Sequence, residues 1–414
     1  MQRRALWLIV AIASAAFATL ASGGGLLTLG VILANRGTLN AAETLPIAGL
    51  MALGLGLGIP LMLHGWAGWQ ERPSCPFNPS RAWLLWLLLA LLIGLGSVVS
   101  SAPALLLPPI HVLAMALPPL IMLWLVGGAL RGRGGSLREV VAGVAGGGSL
   151  GLGLSLIGEG LIAFVLIVAM AIVALMVPGG TERITALARN LQDPAWVTDP
   201  NNLLQLLLSP AVALSALGLF SIPVPLVEEA FKTVAAGVVA RWVRPHPARA
   251  FLWGVAGGAG FALAENLFNG ALGGAESWTA GAVARFGATV MHCFTGGLVG
   301  WGWGQLWTVR RPLRLLGAYA AAVTTHGLWN AASVGVVLMN SSALLYEGDD
   351  LWLALVGLGM LALVGSLGLM TVAFIAALTV AGRRLANEAE QLQDRATTSE
   401  EVPAAPGLSE GTVP

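Results

Sequence analysis

The residues best suited to chemistry lie in one short apolar segment, Val-Glu228-Glu229-Ala-Phe-Lys232. Lys232 is the only lysine of the chain, and the other 20 of its 21 basic residues are arginines. Charged side chains inside a membrane are costly, so those that occur there usually serve a function. On a helix, Lys232 can reach either glutamate, because it follows one by four residues and the other by three. One glutamate is then ion-paired and the other is available.

Three further apolar segments carry polar side chains: Glu265 with Asn266, then His292, then His326 with Asn330. An arginine marks the predicted cytoplasmic end of each segment. Counted from it at about 1.5 Å per residue, the polar groups of all four segments lie roughly 18–27 Å deep. A hydrocarbon core is about 30 Å thick, so these groups fall in one layer. Four segments that place polar groups at a similar depth predict one buried cluster.

Three of these segments place their polar residues on the same helix face as small residues. The faces are Gly254, Gly258, Ala262 and Glu265; His292, Gly296, Gly300 and Gly304; and Ala322, His326 and Asn330. Small residues mark the faces through which membrane helices approach one another. The polar groups are therefore expected to point into the bundle and away from lipid.

The sequence Ser221-Ile-Pro223-Val-Pro225 precedes the two glutamates and predicts a break in the helix. Each proline removes a backbone hydrogen bond and clashes with the preceding turn. A new half-helix beginning at Pro225 would hold Glu228 and Glu229 in its first turn. Unpaired N–H groups and the helix dipole favour a carboxylate there, which suits a general base.

The composition indicates a multi-pass protein of the cell membrane. The chain is 57% hydrophobic and 10% charged, whereas charged residues make up roughly a quarter of soluble domains. Long apolar runs predict an all-α bundle of about ten transmembrane helices in a lipid bilayer. The sequence contains no basic patch with interleaved aromatic residues, so no nucleic-acid partner is expected. The predicted spans are 5–34, 45–69, 82–101, 108–130, 138–177, 205–240, 250–271, 279–307, 313–338 and 351–382.

Arginine-rich loops alternate with loops that are poor in basic residues, so the positive-inside rule predicts that both termini are cytoplasmic. The expected organisation is a five-span block at 1–177, an extracytoplasmic loop with a short amphipathic helix at 178–204, and a catalytic five-span block at 205–382. A disordered cytoplasmic tail is expected at 383–414, where the sequence is polar and nearly free of aromatic residues.

Four motifs in order resemble those of the PrsW-type intramembrane proteases. Glu228-Glu229-Ala-Phe-Lys232 resembles the EExxK motif of that family. The second, third and fourth motifs resemble Phe261-Ala-Leu-Ala-Glu265-Asn266, Met291-His292 and His326-Gly-Leu-Trp329-Asn330. Together they span about residues 223–335, and the five N-terminal spans have no counterpart in this resemblance.

The family is similar to the wider group that contains the CAAX prenyl proteases, in which a glutamate activates water while histidine and asparagine polarise the scissile carbonyl. The resemblance implies cleavage of a membrane-embedded or membrane-proximal segment of another protein, so the expected partner is a membrane-protein substrate. In PrsW itself the implied substrate is an anti-sigma factor, and that identity is not carried over to this chain.

The resulting hypothesis is peptide hydrolysis with Glu228 or Glu229 as the base that acts on water. Lys232 would hold the other glutamate in place. His326 and Asn330 would donate hydrogen bonds to the developing oxyanion.

Glu265 and His292 would complete the water site or protonate the leaving amine. A variant of the hypothesis adds a divalent metal such as zinc, held by Glu229 (or Glu228), Glu265, His292 and His326 with an open position for water. The sequence contains no HExxH motif.

Two other classes of function fit some of the same residues. A proline-broken helix with carboxylates near mid-membrane is also found in proton- or ion-coupled transporters, although no inverted repeat is detectable here. A catalytically silent scaffold could use the same pocket to bind a membrane partner.

Arg285 is expected near the outer interface, with its side chain extended towards it. Glu159 is expected either to face a water-filled crevice or to have a part in the site.

Overall fold

Helices form all the regular secondary structure in this computed structural model, which describes residues 2–37, 39–99, 106–270, 277–345 and 350–400. No strand occurs within those ranges. The prediction of an all-α membrane protein is therefore confirmed.

Six α-helices form the first part of the chain. They are α1 (Gln2–Arg36), α2 (Ala41–Trp69), α3 (Trp83–Val99), α4 (Leu107–Ala129), α5 (Leu137–Gly146) and α6 (Leu152–Met176). A π-helical turn at Gly147–Gly151 joins α5 to α6. The two helices therefore form one continuous 40-residue apolar segment.

Ten α-helices follow. They are α7 (Gly180–Gln192), α8 (Pro194–Thr198), α9 (Pro200–Leu208), α10 (Pro210–Ser221), α11 (Pro223–Phe231), α12 (Val234–Val243), α13 (Pro247–Asn269), α14 (Trp278–Trp307), α15 (Pro312–Leu345) and α16 (Asp350–Glu400). Proline begins six of them, as expected for a residue that lacks the N–H group left unpaired at a helix start. The amphipathic helix predicted within 178–204 is α7.

All ten predicted spans coincide with helical segments, and eight segments among the described residues are long and apolar enough to cross a membrane. The two that fall short are α3 and α14. α3 has 17 residues, and the glycines, tryptophans and polar residues of α14 lower its hydropathy. The count of ten was therefore approximate.

α13 lies at the centre of the bundle and contacts α2, α4, α5, α12 and α14. Every residue from 251 to 262 is buried. The outer helices instead expose large apolar side chains, such as Ile9 of α1 and Phe164 of α6. This distribution is expected of a bundle whose solvent is lipid, since apolar side chains gain nothing there by avoiding the surface.

The C-terminal segment differs from the predicted disordered tail at 383–414. α16 remains helical to Glu400, and residues 401–414 lie outside the described ranges. Glu390 of this extension pairs with Arg133 at 3.1 Å, and Asn387 accepts a hydrogen bond from Arg131 at 3.3 Å. Contacts with the connection between α4 and α5 therefore hold the first part of the polar segment as a helix.

Candidate active site

A break between α10 and α11 positions the two glutamates, as the prolines predict. The backbone leaves the helical conformation at Ile222 (φ −124°, ψ −72°) and a new helix begins at Pro223. Glu228 and Glu229 therefore lie in the second turn of α11, and the expectation that they occupy a first turn beginning at Pro225 is wrong. The reason is that the helix starts at the first of the two prolines, since proline suits the first helical position.

α15 supplies hydrogen bonds to the carbonyl groups around this break. The Tyr319 hydroxyl donates to the carbonyl oxygen of Leu226 at 2.6 Å. The Asn330 amide donates to the carbonyl oxygen of Phe220 at 2.9 Å. Irregular backbone at membrane depth requires such partners. Asn330, expected to stabilise an oxyanion, thus has a structural contact with the break.

Glu229 is the glutamate that is ion-paired. Its Oε1 accepts from Lys232 Nζ at 2.5 Å and from His326 Nδ1 at 2.8 Å. The side chains of both Glu229 and Lys232 are fully buried. A buried charge pair needs further hydrogen bonds to offset its desolvation, and His326 provides one of them.

Lys232 links this pair to α14. Its Nζ lies 2.8 Å from His292 Nδ1 and 3.5 Å from Thr295 Oγ1. An ammonium group can only donate, so His292 Nδ1 accepts and the proton of the neutral ring is on Nε2. That nitrogen lies 2.7 Å from Glu265 Oε2. Lys232 thereby fixes both the orientation and the tautomer of His292.

His326 and Glu228 lie close together, but the two atoms that face each other are both hydrogen-bond acceptors. Because a carboxylate can only accept, His326 donates its Nδ1 proton to Glu229, which leaves the Nε2 lone pair of the neutral ring free. This nitrogen lies 3.6 Å from Glu228 Oε2. Glu228 Oε2 is buried and has no hydrogen-bond partner among the described residues. Two acceptors that face each other in a buried space favour a proton donor or a cation between them.

Arg285 was expected at the outer interface, but it belongs to this network. Its Nη2 donates to Glu265 Oε2 at 3.0 Å and its Nε to Asn266 Oδ1 at 2.8 Å. The side chain is only 17% exposed. A signal for this position was present in the sequence, because Arg285 precedes His292 by seven residues, or about two turns on the same face. The partner available in α13 kept the guanidinium inside the bundle.

Glu159 is a second residue to which sequence reasoning gave no firm place. It lies in α6, and its side chain is close enough to that of Glu228 to interact with it. It is the only charged residue of α6, and this isolation was the available signal. The proposed cluster therefore receives a carboxyl group from the first part of the chain.

Facing glycines bring α13 and α14 together. A Cβ on Gly254 would overlap the backbone of Gly296, and one on Gly258 would overlap the carbonyl of His292. The two predicted small-residue faces thus pack directly against each other. This close approach sets His292 beside Glu265.

A buried group able to hold a metal ion consists of Glu228, His292 and His326, each offering a ligand atom within 4.8 Å of the others. The predicted set contained Glu265 and favoured Glu229. In the structure each of those two carboxylates instead contacts one histidine: Glu265 contacts Nε2 of His292, and Glu229 contacts Nδ1 of His326. Glu228 is the carboxylate that joins the histidines.

Comparison with known proteins gives one family. Residues 160–363 match the family described as PrsW family intramembrane metalloprotease. No match was found among curated proteins or among solved structures. The matched region contains both glutamates of the EExxK-like motif, Lys232 and the two histidines of the metal-binding group, and it begins one residue after Glu159. Residues 160–363 therefore belong to the PrsW family of intramembrane metalloproteases, and the chain is a multi-pass membrane peptidase.

Proposed function

We propose that this peptidase hydrolyses a peptide bond in a membrane-embedded or membrane-proximal segment of another membrane protein. The reaction centre is the space beside Glu228 Oε2 and His326 Nε2, where a water could contact both atoms without lying on the 3.6 Å line that joins them. The observation that carries the proposal is that these two buried acceptors face each other at 3.6 Å while Glu228 Oε2 lacks a partner. A water molecule is the smallest donor that satisfies both, and one so held is also the nucleophile that hydrolysis requires.

Glu228 is the better candidate for the base, because Glu229 already accepts from Lys232 and His326. In the proposed reaction Glu228 takes a proton from water, and the water oxygen attacks the scissile carbonyl carbon. General base catalysis of this kind contributes about 10²–10⁴-fold to a rate. The departing amine must then gain a proton. Glu228 carries the proton taken from water and is our candidate donor, because loss of the Nε2 proton that neutral His292 shares with Glu265 would leave an imidazolate.

Glu229, Lys232 and Glu265 act as positioning residues in this proposal. Glu229 holds His326 through Nδ1, which turns the Nε2 lone pair towards Glu228. Glu265 and Lys232 hold His292 from its two sides.

The same donor set fits a divalent metal such as zinc. Glu228, His292 and His326 would hold it, and the hydrogen bond from His326 to Glu229 is the support that metal-binding histidines usually have. Such a metal supplies, when bound, a Lewis acid that polarises a carbonyl and makes water more acidic. Both ring nitrogens of His292 are engaged, so its ligation requires exchange of its contact with Lys232 or with Glu265.

Membrane proteomics tests the proposed reaction. Cells expressing the wild type, Glu228→Gln or Glu182→Gln are compared; Glu182 is an exposed glutamate of α7 and serves as the control. We expect truncated membrane proteins with the wild type and with the control, and none with Glu228→Gln. The same fragments from all three would contradict the proposal.

Metal analysis of the purified protein separates the two roles of Glu228. About one equivalent of metal in the wild type, reduced in both His326→Ala and Glu228→Gln, would make Glu228 a ligand. A metal-free protein that cleaves its substrate and resists chelators would make Glu228 the base on water.

A further inference from the structure

A recess opens between α12 and α14, near the ends of these helices that are flanked by arginines. Its volume is about 200 Å³. Its walls, which are almost wholly apolar, include Gly237, Val238, Arg241, Trp242, Trp303 and Trp307. Gly237 allows the ring of Trp303 to approach α12, since a Cβ at this position would overlap that ring.

The mouth of the recess faces the lipid. Val238 and Trp242 lie one turn apart on α12 and are 50% and 71% exposed. Both belong to the apolar segment Pro210–Val243, which is long enough to cross a membrane. An apolar recess on such a surface is open to the hydrocarbon chains of neighbouring lipids.

Two donors at the recess have no hydrogen-bond acceptor among the described residues. The guanidinium of Arg241 lies 5.8 Å from the centroid of the Trp307 ring, and no carboxylate among the described residues pairs with it. Trp307 Nε1 is buried and also lacks a hydrogen-bond partner in that part of the chain. The neighbouring Trp303 differs, since its Nε1 donates to Thr233 Oγ1 at 3.1 Å. A buried N–H without an acceptor is rare in proteins and calls for an explanation.

We propose that this recess binds an anionic phospholipid of the leaflet on the arginine-rich side. An acyl chain would occupy the apolar walls, and the phosphate would accept from Arg241 and from Trp307 Nε1. Basic pockets between membrane helices bind anionic head groups in this way, and tryptophan prefers the same interfacial depth.

The donors that lack an acceptor among the described residues favour a lipid over a helix of a partner protein. A transmembrane helix satisfies its backbone carbonyl groups internally and offers few acceptors, whereas a phosphate offers several oxygens to Arg241 and Trp307 Nε1. A hydrocarbon chain is thinner than a helix and can lie along the groove without displacing α12 from α14.

Native mass spectrometry of the full-length protein in detergent tests the proposal. Phosphatidylglycerol and phosphatidylcholine with identical acyl chains are titrated separately into the wild type, Arg241→Gln, Trp307→Phe and Arg311→Gln. Arg311 is an exposed arginine beyond α14 and outside the recess, and its variant is the control. Thermal unfolding of each variant identifies any that fails to fold.

We expect the wild type and the control to bind phosphatidylglycerol more tightly than phosphatidylcholine. Arg241→Gln should weaken phosphatidylglycerol binding about fivefold and remove the preference, because one charge near the surface is lost. Trp307→Phe keeps the aromatic ring but removes the N–H group. Because both lipids carry a phosphate, it should weaken the binding of phosphatidylglycerol and of phosphatidylcholine by about the same factor.

Equal affinities of the two lipids for the wild type, or an unchanged preference in Arg241→Gln, would overturn the proposal. A photo-reactive group at Val238, examined in membranes, gives an independent result. Lipid adducts support the proposal, whereas adducts that contain only a peptide of another protein would make the recess a protein-binding groove and contradict it.

Discussion

The helix pairs α1–α2 and α13–α14 both pack through small residues, but of these two only α13–α14 contributes to the candidate active site. In the pair α1–α2, a Cβ on Gly58 would lie 2.8 Å from both the Cβ of Ala18 and the carbonyl oxygen of Ser14. In the pair α13–α14, Gly254 and Gly258 approach the backbone of α14 in the same way. Close packing is therefore common to both pairs and does not distinguish the site.

The difference lies in the polar side chains and in what surrounds them. Within α1–α2 the Ser14 hydroxyl donates to its own helix, at the carbonyl of Val10 (2.7 Å), and the ion pair Arg36–Glu43 lies at the helix ends. Between α13 and α14, Glu265 and His292 pair inside the bundle, and the broken helix α11 and the helix α15 add further carboxylate and imidazole groups there. A reactive cluster thus requires polar residues from several helices, in addition to a close contact between two.

The sharpest test of this comparison replaces one glutamate in each region. Glu228→Gln should lower the rate of substrate cleavage by about a hundredfold or more, because a glutamine cannot accept the proton of water. Glu43→Gln removes a glutamate from α2 and should leave the rate unchanged. The rates are measured with purified protein and a single-span substrate identified by proteomics. Comparable loss in both variants would remove the distinction between the regions.

A second test compares the ion pairs. Lys232→Met leaves Glu229 buried without its cation and should lower the free energy of unfolding by about 3–5 kcal/mol. Arg36→Met breaks the pair Arg36–Glu43, in which the arginine side chain is 67% exposed, and should cost about 1 kcal/mol or less. Denaturant titration in detergent micelles measures both. A small loss for Lys232→Met would show that Glu229 readily finds another partner.

A third test compares two arginines that each bind a glutamate of another helix, one inside the cluster and one outside it. Arg285→Lys cannot contact Glu265 and Asn266 together, and loss of such an indirect support typically costs about 10–100-fold in activity. Arg249→Lys alters the pair in which Arg249 binds both oxygens of Glu139, at 2.6 and 2.7 Å, outside the cluster. We expect it to retain activity. Rescue of an Arg285→Ala variant by guanidinium would show that the lost group acts through its contacts. Equal rates for Arg285→Ala and the wild type would exclude a role for Arg285.

The smallest expected differences come from the glycines. Gly258→Ala and Gly58→Ala should each destabilise the fold by about 1–3 kcal/mol, because both added methyl groups overlap neighbouring atoms. Only Gly258→Ala should also lower the cleavage rate per folded molecule, since it displaces the carbonyl of His292. Thermal unfolding and cleavage assays on the same samples separate the two effects. Unequal unfolding with equal rates would contradict this assignment.

Much of the architecture was predictable because periodicity and proline act locally. The small-residue faces of α13 and α14 pack as their spacing indicates, and the helix breaks at Ile222, beside the prolines that predict it. Partner choice was not predictable in the same way. Spacing places Arg285 on the face of His292, but only the packing of α13 shows that Glu265 accepts from both.

The sequence alone also does not decide which of two chemically similar groups forms a given contact. Lys232 can reach Glu228 or Glu229 by spacing alone, and the structure selects Glu229 because His326 donates to the same oxygen. The helical segment to Glu400 was missed for a related reason. Its stabilising contacts, such as Arg133 with Glu390, join residues that are distant in the sequence.

Because Lys232 is the only lysine and its side chain is fully buried, the folded protein presents no lysine amine to solvent. Amine-directed reagents such as activated esters should leave every side chain of the native molecule unmodified. Labelling at Lys232 then requires α11 to separate from α14. The rate of that labelling therefore reports how often the bundle opens at its centre, and the measurement needs no engineered probe.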